Sequence, residues 1–222
     1  MKGFLQRNSL LLVAFFLFFC TFLFGQSLTG HRVYNEEQRQ HDQATVSFPE
    51  YLTTGHFLEA TMENWESEFL QMGAYVLLTV WFRQKGSAES KAMDEEEAVD
   101  ADPLDDVRPD SPWPVRSRNG LLLGLYKNSL SIAFFALFAL TFALHAIGGA
   151  REVSAQQQAH GGSPVSAAEF VRTAEFWFQS LQNWQSEFLA VAAIVLLSVF
   201  LRQQGSPESK PVAAPHATTG ST

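Results

Sequence analysis

The chain has 222 residues, a formal net charge of −8 and a single cysteine, Cys20. The acidic charge argues against nucleic-acid binding, which depends on clusters of Lys and Arg that face phosphates. One thiol cannot form an internal disulfide or a multi-cysteine metal site. The mean hydropathy is near zero, but the apolar residues are concentrated in dense runs, a segregation that is typical of membrane helices.

The first apolar run extends from Ser9 to Leu28 and follows a short basic start. That arrangement also describes a secretory signal peptide. However, the pattern that begins Arg7-Asn8-Ser9-Leu10 recurs 120 positions later as Lys127-Asn128-Ser129-Leu130. Because an internal copy cannot be an N-terminal signal, the sequence predicts two retained transmembrane helices, at 9–28 and 129–147.

The second half of this unit recurs 119 positions later. The motif N-W-x-S-E-F-L occupies 64–70 and 183–189, and each copy continues to R-Q-x-G-S-x-E-S-K, at 83–91 and at 202–210. Self-similarity at a fixed spacing indicates an internal repeat. We therefore predict repeat 1 at 1–91 and repeat 2 at 118–210.

A helix start is predicted before each of these motifs. Ser47 with Glu50, and Ser166 with Glu169, have the spacing of a capping box, in which the two side chains satisfy backbone amides reciprocally. Apolar residues then recur on one helical face, which predicts amphipathic helices at 48–64 and 167–183. Two settings fit equally well, the bilayer surface and packing of a soluble helix on its neighbours.

The amphipathic helices lead into two further apolar segments, 65–82 and 184–201. Each has 18 residues, or about 27 Å at about 1.5 Å per residue, which is sufficient to cross a bilayer. Trp65 and Trp184 are predicted to be interfacial anchors. The predicted fold class is therefore all-α: an integral membrane protein with four transmembrane helices, built as two tandem two-helix repeats that each carry an outer amphipathic helix. The alternative, buried helices of a soluble protein, is disfavoured because the chain contains four such runs.

The segments between and after the repeats are predicted to be disordered. Residues 92–117 form an acidic linker rich in proline, because like charges repel and proline blocks helices. Residues 211–222 form a loose tail.

Placing both termini and the linker in the cytoplasm puts eleven basic residues inside and four outside, as the positive-inside tendency requires. Both repeats then share one orientation and can pack around an axis along the membrane normal.

A repeated polar stripe is the candidate functional feature of the predicted membrane helices. In each repeat an asparagine, a glutamate, a hydroxyl residue and an arginine fall on nearly the same helical face. The stripe consists of Asn64, Glu68, Thr79 and Arg83 in repeat 1 and of Asn183, Glu187, Ser198 and Arg202 in repeat 2. Ionisable groups within membranes are costly and often functional, so Glu68 and Glu187 could converge to bind a cation or carry protons. The competing interpretation is structural, because a carboxylate near a helix N-terminus is favoured by the dipole and can lie among wet headgroups.

Other chemistry is weakly indicated. Histidines occur in the predicted outer loops, and His160 matches His41 at the repeat spacing, but a solvated loop histidine is the simpler interpretation than a metal or pH-sensing role. The sequence contains no Gly-rich phosphate loop, no H-E-x-x-H and no G-x-S-x-G. We therefore expect no catalytic residues, no cofactor and no metal site.

Four segments carry a resemblance to a known family. They are R-N-S-L at 7–10, R-V-Y-N-E-E-Q at 32–38, E-N-W-E-S-E-F-L-Q at 63–71 and R-Q-K-G-S at 83–87. With them the chain resembles a family of uncharacterised bacterial membrane proteins that share a domain of unknown function, here as two tandem copies. The second copy departs from the pattern at 155–157, where A-Q-Q replaces the N-E-E of 35–37. The resemblance implies a location in the bacterial inner (plasma) membrane and no particular activity.

The leading functional hypothesis is a non-enzymatic, multi-pass membrane protein that acts through interactions. Its partners would be membrane lipids, other membrane proteins or further copies of itself, and not nucleic acid. The alternative is a small proton- or cation-coupled transporter or channel that uses Glu68 and Glu187. An intramembrane enzyme is the third and weakest hypothesis.

Overall fold

A computed structural model describes residues 2–93 and 96–220, and this part of the chain is helical with no strand. The predicted all-α class is therefore confirmed. Two acids of the predicted linker, Asp94 and Glu95, and the last two residues of the predicted tail lie outside the described residues.

Ten α-helices and one π-helical segment follow one another along the described residues. In the first half they are α1 (Lys2–Arg7), α2 (Ser9–Phe19), the π-helical segment (Cys20–Gln26), α3 (Ser27–Gln40), α4 (Phe48–Tyr51) and α5 (Gly55–Trp81). In the second half they are α6 (Trp113–Arg116), α7 (Gly120–Lys127), α8 (Ser129–Ala159), α9 (Ala167–Phe170) and α10 (Ala174–Phe200). The described linker residues between α5 and α6 form turns and bends, and the disorder predicted for them stays a prediction.

Three helices are long and apolar enough to cross a membrane, not the four that the sequence predicted. Among the described residues they are Ser9–Gln40, Ser129–Ala159 and Ala174–Phe200. The first of these consists of α2, the π-helical segment and α3, which follow one another without a break. The predicted span 65–82 fails because α5 carries Glu66, Glu68 and Gln71 in this region, whereas α10 has Gln185 and Ala190 where α5 has Glu66 and Gln71. The lower hydropathy of α5 therefore comes from its polar side chains and not from its length.

Both predicted capping boxes are confirmed. The Glu50 carboxylate accepts hydrogen bonds from the backbone N–H and the hydroxyl of Ser47, each at 2.7 Å. The Glu169 carboxylate does the same with Ser166, at 2.8 and 2.6 Å. Each box starts only a four-residue helix, α4 or α9. The predicted amphipathic helices are therefore interrupted, and the long helices begin at Gly55 and Ala174 and run on without a break at the tryptophans.

The capping boxes predict an acid-sensitive contribution to stability. Hydrogen bonds from Ser47 and Ser166 hold the pKa values of Glu50 and Glu169 below their usual range. Their contribution is full above the carboxyl pKa of the unfolded chain, about 4.3, and is lost as the pH falls through the lower folded-state pKa. We expect the melting temperature in detergent, followed by circular dichroism, to fall on acidification through this interval. The melting temperature of the Glu50→Gln/Glu169→Gln double variant should fall less over the same pH interval. An equal fall in the parent chain and the variant would show that the two carboxylates do not cause the acid sensitivity.

Each return loop is pinned to the preceding long helix by one side chain. The side-chain amide of Asn35 on α3 pairs with the backbone N–H and C=O of Val46, at 2.8 and 2.9 Å. The hydroxyl of Ser154 on α8 accepts a hydrogen bond from the backbone N–H of Val165 at 2.8 Å, and its single proton lies between the carbonyls of Ala150, at 2.6 Å, and Val165, at 3.1 Å. These contacts place the residue before each capping box against the long helix.

The chain packs into two compact units. Unit 1 contains Met1–Glu63 and Phe142–Trp177, and unit 2 contains Asn64–Thr141 and Phe178–Thr222. The core of unit 1 consists of Ala146, Ala150, Phe170 and Phe176. There α5 and α8 approach so closely that a Cβ added at Gly148 would lie 2.5 Å from the backbone nitrogen of Glu59. The predicted span 129–147 lies within α8, which continues through Gly148 to Ala159.

Candidate functional site

The predicted glutamate pair lies in unit 2, on α5 and α10. Glu68 is exposed at the protein surface and Glu187 is half-buried. The charge of Glu68 acts on Glu187 by Coulombic repulsion, and the predicted convergence of the two carboxylates stays a prediction. A role in cation or proton transfer stays a prediction.

Three of the remaining stripe residues donate hydrogen bonds to backbone carbonyls three or four residues earlier in the chain. Thr79 donates to the carbonyl of Val76 at 3.0 Å, Arg83 to that of Val80 at 3.1 Å, and Asn183 to that of Gln179 at 3.1 Å. Exposed Asn64 and half-buried Trp65 belong to the same part of α5. Half-buried Trp184 packs edge-on against Phe138, with ring centroids 5.9 Å apart. The anchor roles of the two tryptophans stay predictions.

A different glutamate is the one that the fold buries. Glu66 has no exposed surface, and its carboxylate accepts a hydrogen bond at 2.7 Å from the hydroxyl of Ser180, which is also fully buried. Burying a carboxylate is costly unless hydrogen bonds compensate it. This pair is therefore the most specific polar contact between α5 and α10 in unit 2.

Two further contacts extend this line. The side-chain amide of Gln71 donates to the backbone carbonyl of Glu187 at 2.8 Å, and the hydroxyls of Ser87 and Ser198 lie 2.8 Å apart. From one contact to the next, the residue numbers increase on the α5 side and on the α10 side alike. The two helices therefore run parallel. We call these three contacts the polar seam; its members are Glu66, Gln71, Ser87, Ser180, Glu187 and Ser198.

The R-Q-x-G-S-x-E-S-K motif forms the same loop after α5 and after α10. Gly86 and Gly205 both have φ of +84°, a left-handed conformation that favours glycine. The backbone N–H of Gln84 donates to the hydroxyl of Ser90 at 3.0 Å, and that of Gln203 to Ser209 at 2.9 Å. The motif is therefore a helix-ending turn held by its own side chains, which accounts for its glycine and serines without a catalytic role.

The final lysines of the two motifs differ in their surroundings. Lys91 forms an ion pair with Asp100. Lys210 is buried, and its ammonium donates to the carbonyls of Gly86, His216 and Thr218, the last two at 3.0 and 2.8 Å. Arg202 also donates to the carbonyl of Ala214, at 3.2 Å. The described part of the tail is thus tied to both loops, although the disorder predicted for 211–222 stays a prediction.

Lys210 should therefore determine how well the tail resists proteolysis. The Lys210→Met variant removes three charge-assisted hydrogen bonds, each of which contributes about 1.5–3 kcal/mol. We expect limited proteolysis to cleave the tail of this variant faster than that of the parent chain. The matched Lys91→Met variant should leave tail cleavage unchanged; equal cleavage of both variants would show that the buried lysine does not hold the tail.

Unit 1 contains an aromatic and histidine cluster near the start of α5. The carboxylate of Glu152 accepts a hydrogen bond at 3.0 Å from the backbone N–H of His56, in the first turn of α5, where a negative charge is favourable. The Tyr51 hydroxyl lies 3.3 Å from Nδ1 of His56. Burial, followed by the negative charge of Glu152, raises the pKa of Tyr51 to about 12. This tyrosine therefore stays protonated near neutral pH, and the cluster caps and packs the helix start.

Glu66, Ser180 and His145 are among the buried polar residues that the sequence-based stripe missed. His145 lies in the apolar stretch of α8, is fully buried and stacks on Phe176 with ring centroids 4.6 Å apart. The available signal was an ionisable side chain within an apolar run. For Glu66 the signal was its replacement by Gln185 at the same position of the second N-W-x-S-E-F-L motif.

The chemistry that this arrangement supports is hydrogen bonding and charge burial between helices. Within 2–93 and 96–220, no three His, Cys, Asp or Glu side chains are grouped to hold a metal ion. A family model described as Domain of unknown function (DUF6766) matches residues 1–221. No curated protein and no solved structure matches the chain.

Proposed function

The chain belongs to the DUF6766 family, a domain of unknown function, and from that premise we propose that it is a non-enzymatic, multi-pass membrane protein that acts through interactions. The observation that carries the proposal is the exposure of its apolar helices. In Ser9–Gln40 the most apolar 18-residue window has no buried residue, and only 17% and 6% of the corresponding windows of α8 and α10 are buried. Such surfaces need to be covered by lipid or by other membrane helices.

The proposed architecture is a tandem duplication of a two-helix unit. Its support is the correspondence of elements: α5 and α10 each have 27 residues and begin and end 119 positions apart. The capping boxes, the pinned return loops and the helix-ending turns also occur in matching pairs. Near the start of each predicted repeat, the side chains of Asn8 and Asn128 donate to the carbonyls of Phe4 and Gly124, at 2.8 and 2.9 Å. These contacts lie where α1 and α7 meet the next helix.

The π-helical segment supports the same duplication. Phe22 corresponds to Phe142 at a spacing of 120, and the same spacing pairs 35–37 with 155–157. The matching loop contacts instead pair Asn35 with Ser154, at a spacing of 119. On that pairing the first copy has one extra residue between Phe22 and Asn35. The backbone N–H of Ser27 bonds the carbonyl of Phe22, five residues earlier, and a π-helical turn of this kind accommodates one additional residue. The π-helical turn thus accommodates the extra residue within the helix. The residues before it and the Asn35 contact after it then still correspond to their counterparts in the second copy.

We propose α5 as a fourth membrane helix despite its lower hydropathy. Its support is the polar seam, because Glu66 is buried against Ser180 and Gln71 bonds the backbone of α10. Polar groups in membrane helices are tolerated where they face protein. The parallel course of α5 and α10 fits two copies in one orientation. With the basic residues inside, both termini and the linker would lie in the cytoplasm of a bacterium, and the helices in its inner membrane.

Reporter fusions and photo-crosslinking test this proposal. Fusions after residue 100 and at the C-terminus should both report the cytoplasm; opposite sides would overturn the four-helix topology.

For the interactions, a photoreactive phenylalanine at Phe16, which is 66% exposed on α2, should capture membrane protein or a second copy in native membranes. The same probe at Trp113, which is 61% exposed and outside the apolar helices, is the control. Adducts with lipid alone at position 16 would overturn protein interaction.

A second candidate function is proton- or cation-coupled transport. It is favoured by the buried carboxylate of Glu66 and by the repulsion between Glu68 and Glu187. In proteoliposomes, the Glu66→Gln variant and the Glu68→Gln/Glu187→Gln variant should reduce ion flux, whereas Glu175→Gln, which alters an exposed acid of α10, should not. Absence of flux in the parent chain would dispose of this candidate.

A further inference from the structure

A pocket of about 480 Å³ lies between α3 and α8 in unit 1. Its walls come from the last turns of both helices and from the residues that follow them. The polar lining includes Tyr34, Glu37, His41, Glu152, Gln156 and His160. His41 and His160 are exposed and occupy matching positions of the two copies.

The electrostatics of this pocket favour a cation. The carbonyl ends of α3 and α8 carry partial negative charge, and Glu37 and Glu152 add two carboxylates. The charges of both carboxylates act on the same neighbour, Tyr34. No lysine or arginine is among the lining residues.

His160 is oriented as a metal ligand would be. Its Nδ1 lies 2.8 Å from the backbone carbonyl of Gln156. Because a carbonyl only accepts, Nδ1 carries the proton of the neutral ring, and Nε2 presents a lone pair. Metal-binding histidines usually have their second nitrogen held in this way.

The two rings are close enough to share an ion. The centroids of His41 and His160 are 6.4 Å apart, with an interplanar angle of 82°. Two imidazoles on one tetrahedral zinc, with Zn–N of about 2.0–2.1 Å, have centroids about 5 Å apart. The required approach of about 1 Å lies within the rotamer freedom of two exposed side chains.

We propose that this pocket binds a divalent transition-metal ion of the zinc class through His41 and His160. Two imidazoles suit such an ion, whereas calcium and magnesium require oxygen ligands. Water completes the coordination shell, since the described residues offer no group of three ligating side chains. The site therefore holds an exchangeable ion, and it joins the ends of two corresponding helices.

Calorimetric titration of the full chain in detergent, purified without a histidine tag, tests the proposal with zinc chloride as the probe. We expect about one zinc ion per chain, because the pocket contains one histidine pair. The His41→Ala and His160→Ala variants should each bind at least about tenfold more weakly, since each removes one of the two protein ligands. The control is His216→Ala, which removes an exposed histidine outside the pocket and should bind as the parent does. Circular dichroism melting without zinc establishes that all variants fold.

Two outcomes would overturn the site. One is unchanged zinc affinity in the His41→Ala/His160→Ala double variant. The other is magnesium binding as tight as zinc binding and unaffected by that double variant, which would indicate an acidic surface without a role for the imidazoles. Neither result depends on the interaction or transport proposals, because the titration measures binding in the isolated chain.

Discussion

Replacing Gly148 with alanine is expected to lower the melting temperature of the chain clearly. The new Cβ would lie 2.5 Å from the backbone nitrogen and 2.9 Å from the Cα of Glu59. These are backbone atoms of α5, which cannot move aside as a side-chain tip can. Alanine gains about 1 kcal/mol of helix propensity over glycine, but overpacking costs about 1–3 kcal/mol or more, so the clash dominates.

The matched control is Gly124→Ala on α7. A Cβ at that position has no atom within 4 Å, so only the propensity gain remains. We expect the melting temperature, measured by circular dichroism in the same detergent, to rise slightly or stay unchanged. Equal melting temperatures for the two variants would show that α5 and α8 do not touch at Gly148.

Replacing Ser180 with alanine is the second large effect that we expect. The change removes the hydrogen bond that the buried carboxylate of Glu66 accepts at 2.7 Å. Hydrogen bonds to charged groups contribute about 1.5–3 kcal/mol, so the free energy of unfolding in detergent should fall by an amount of that order.

Two variants separate this contact from general effects on α10. Ser186 on the same helix is exposed, and its hydroxyl bonds the carbonyl of Asn183 at 2.8 Å. The Ser186→Ala variant should therefore change the unfolding free energy by less than about 0.5 kcal/mol. Glu66→Gln keeps an acceptor for Ser180 and should cost less than Ser180→Ala. The contact would have no energetic role if Ser180→Ala and Ser186→Ala were equally mild.

The helix starts and stops could be predicted because their causes are local. A capping box needs only a serine and a glutamate three residues apart, and the turn after α5 needs Gly86 and its neighbouring serines. Composition does not determine whether the predicted span 65–82 crosses a membrane, because it counts Glu66 and Gln71 as polar wherever they point. The close approach of α5 at Gly148 could not be predicted from the sequence either, because it depends on Glu59, which is distant along the chain.

The prediction that Glu68 and Glu187 are the functional acids stays a prediction, and it was made without knowledge of which acids are buried. Glu68 was chosen because it recurs as Glu187, but recurrence does not report burial. Glu66 does not recur, yet it is the carboxylate that the fold encloses. Its partner, Ser180, lies 114 positions away in the sequence, so no local spacing could have connected the two.

The sequence by itself determined the all-helical class, the apolar segments and the two capping boxes, since these follow from hydropathy and from side chains within one or two turns. Tertiary structure decided which polar groups are enclosed and which histidines meet, because both depend on which helix face contacts which neighbour. The pairing of Glu66 with Ser180 and of His41 with His160 is a property of helices packed side by side, and a one-dimensional pattern does not contain it.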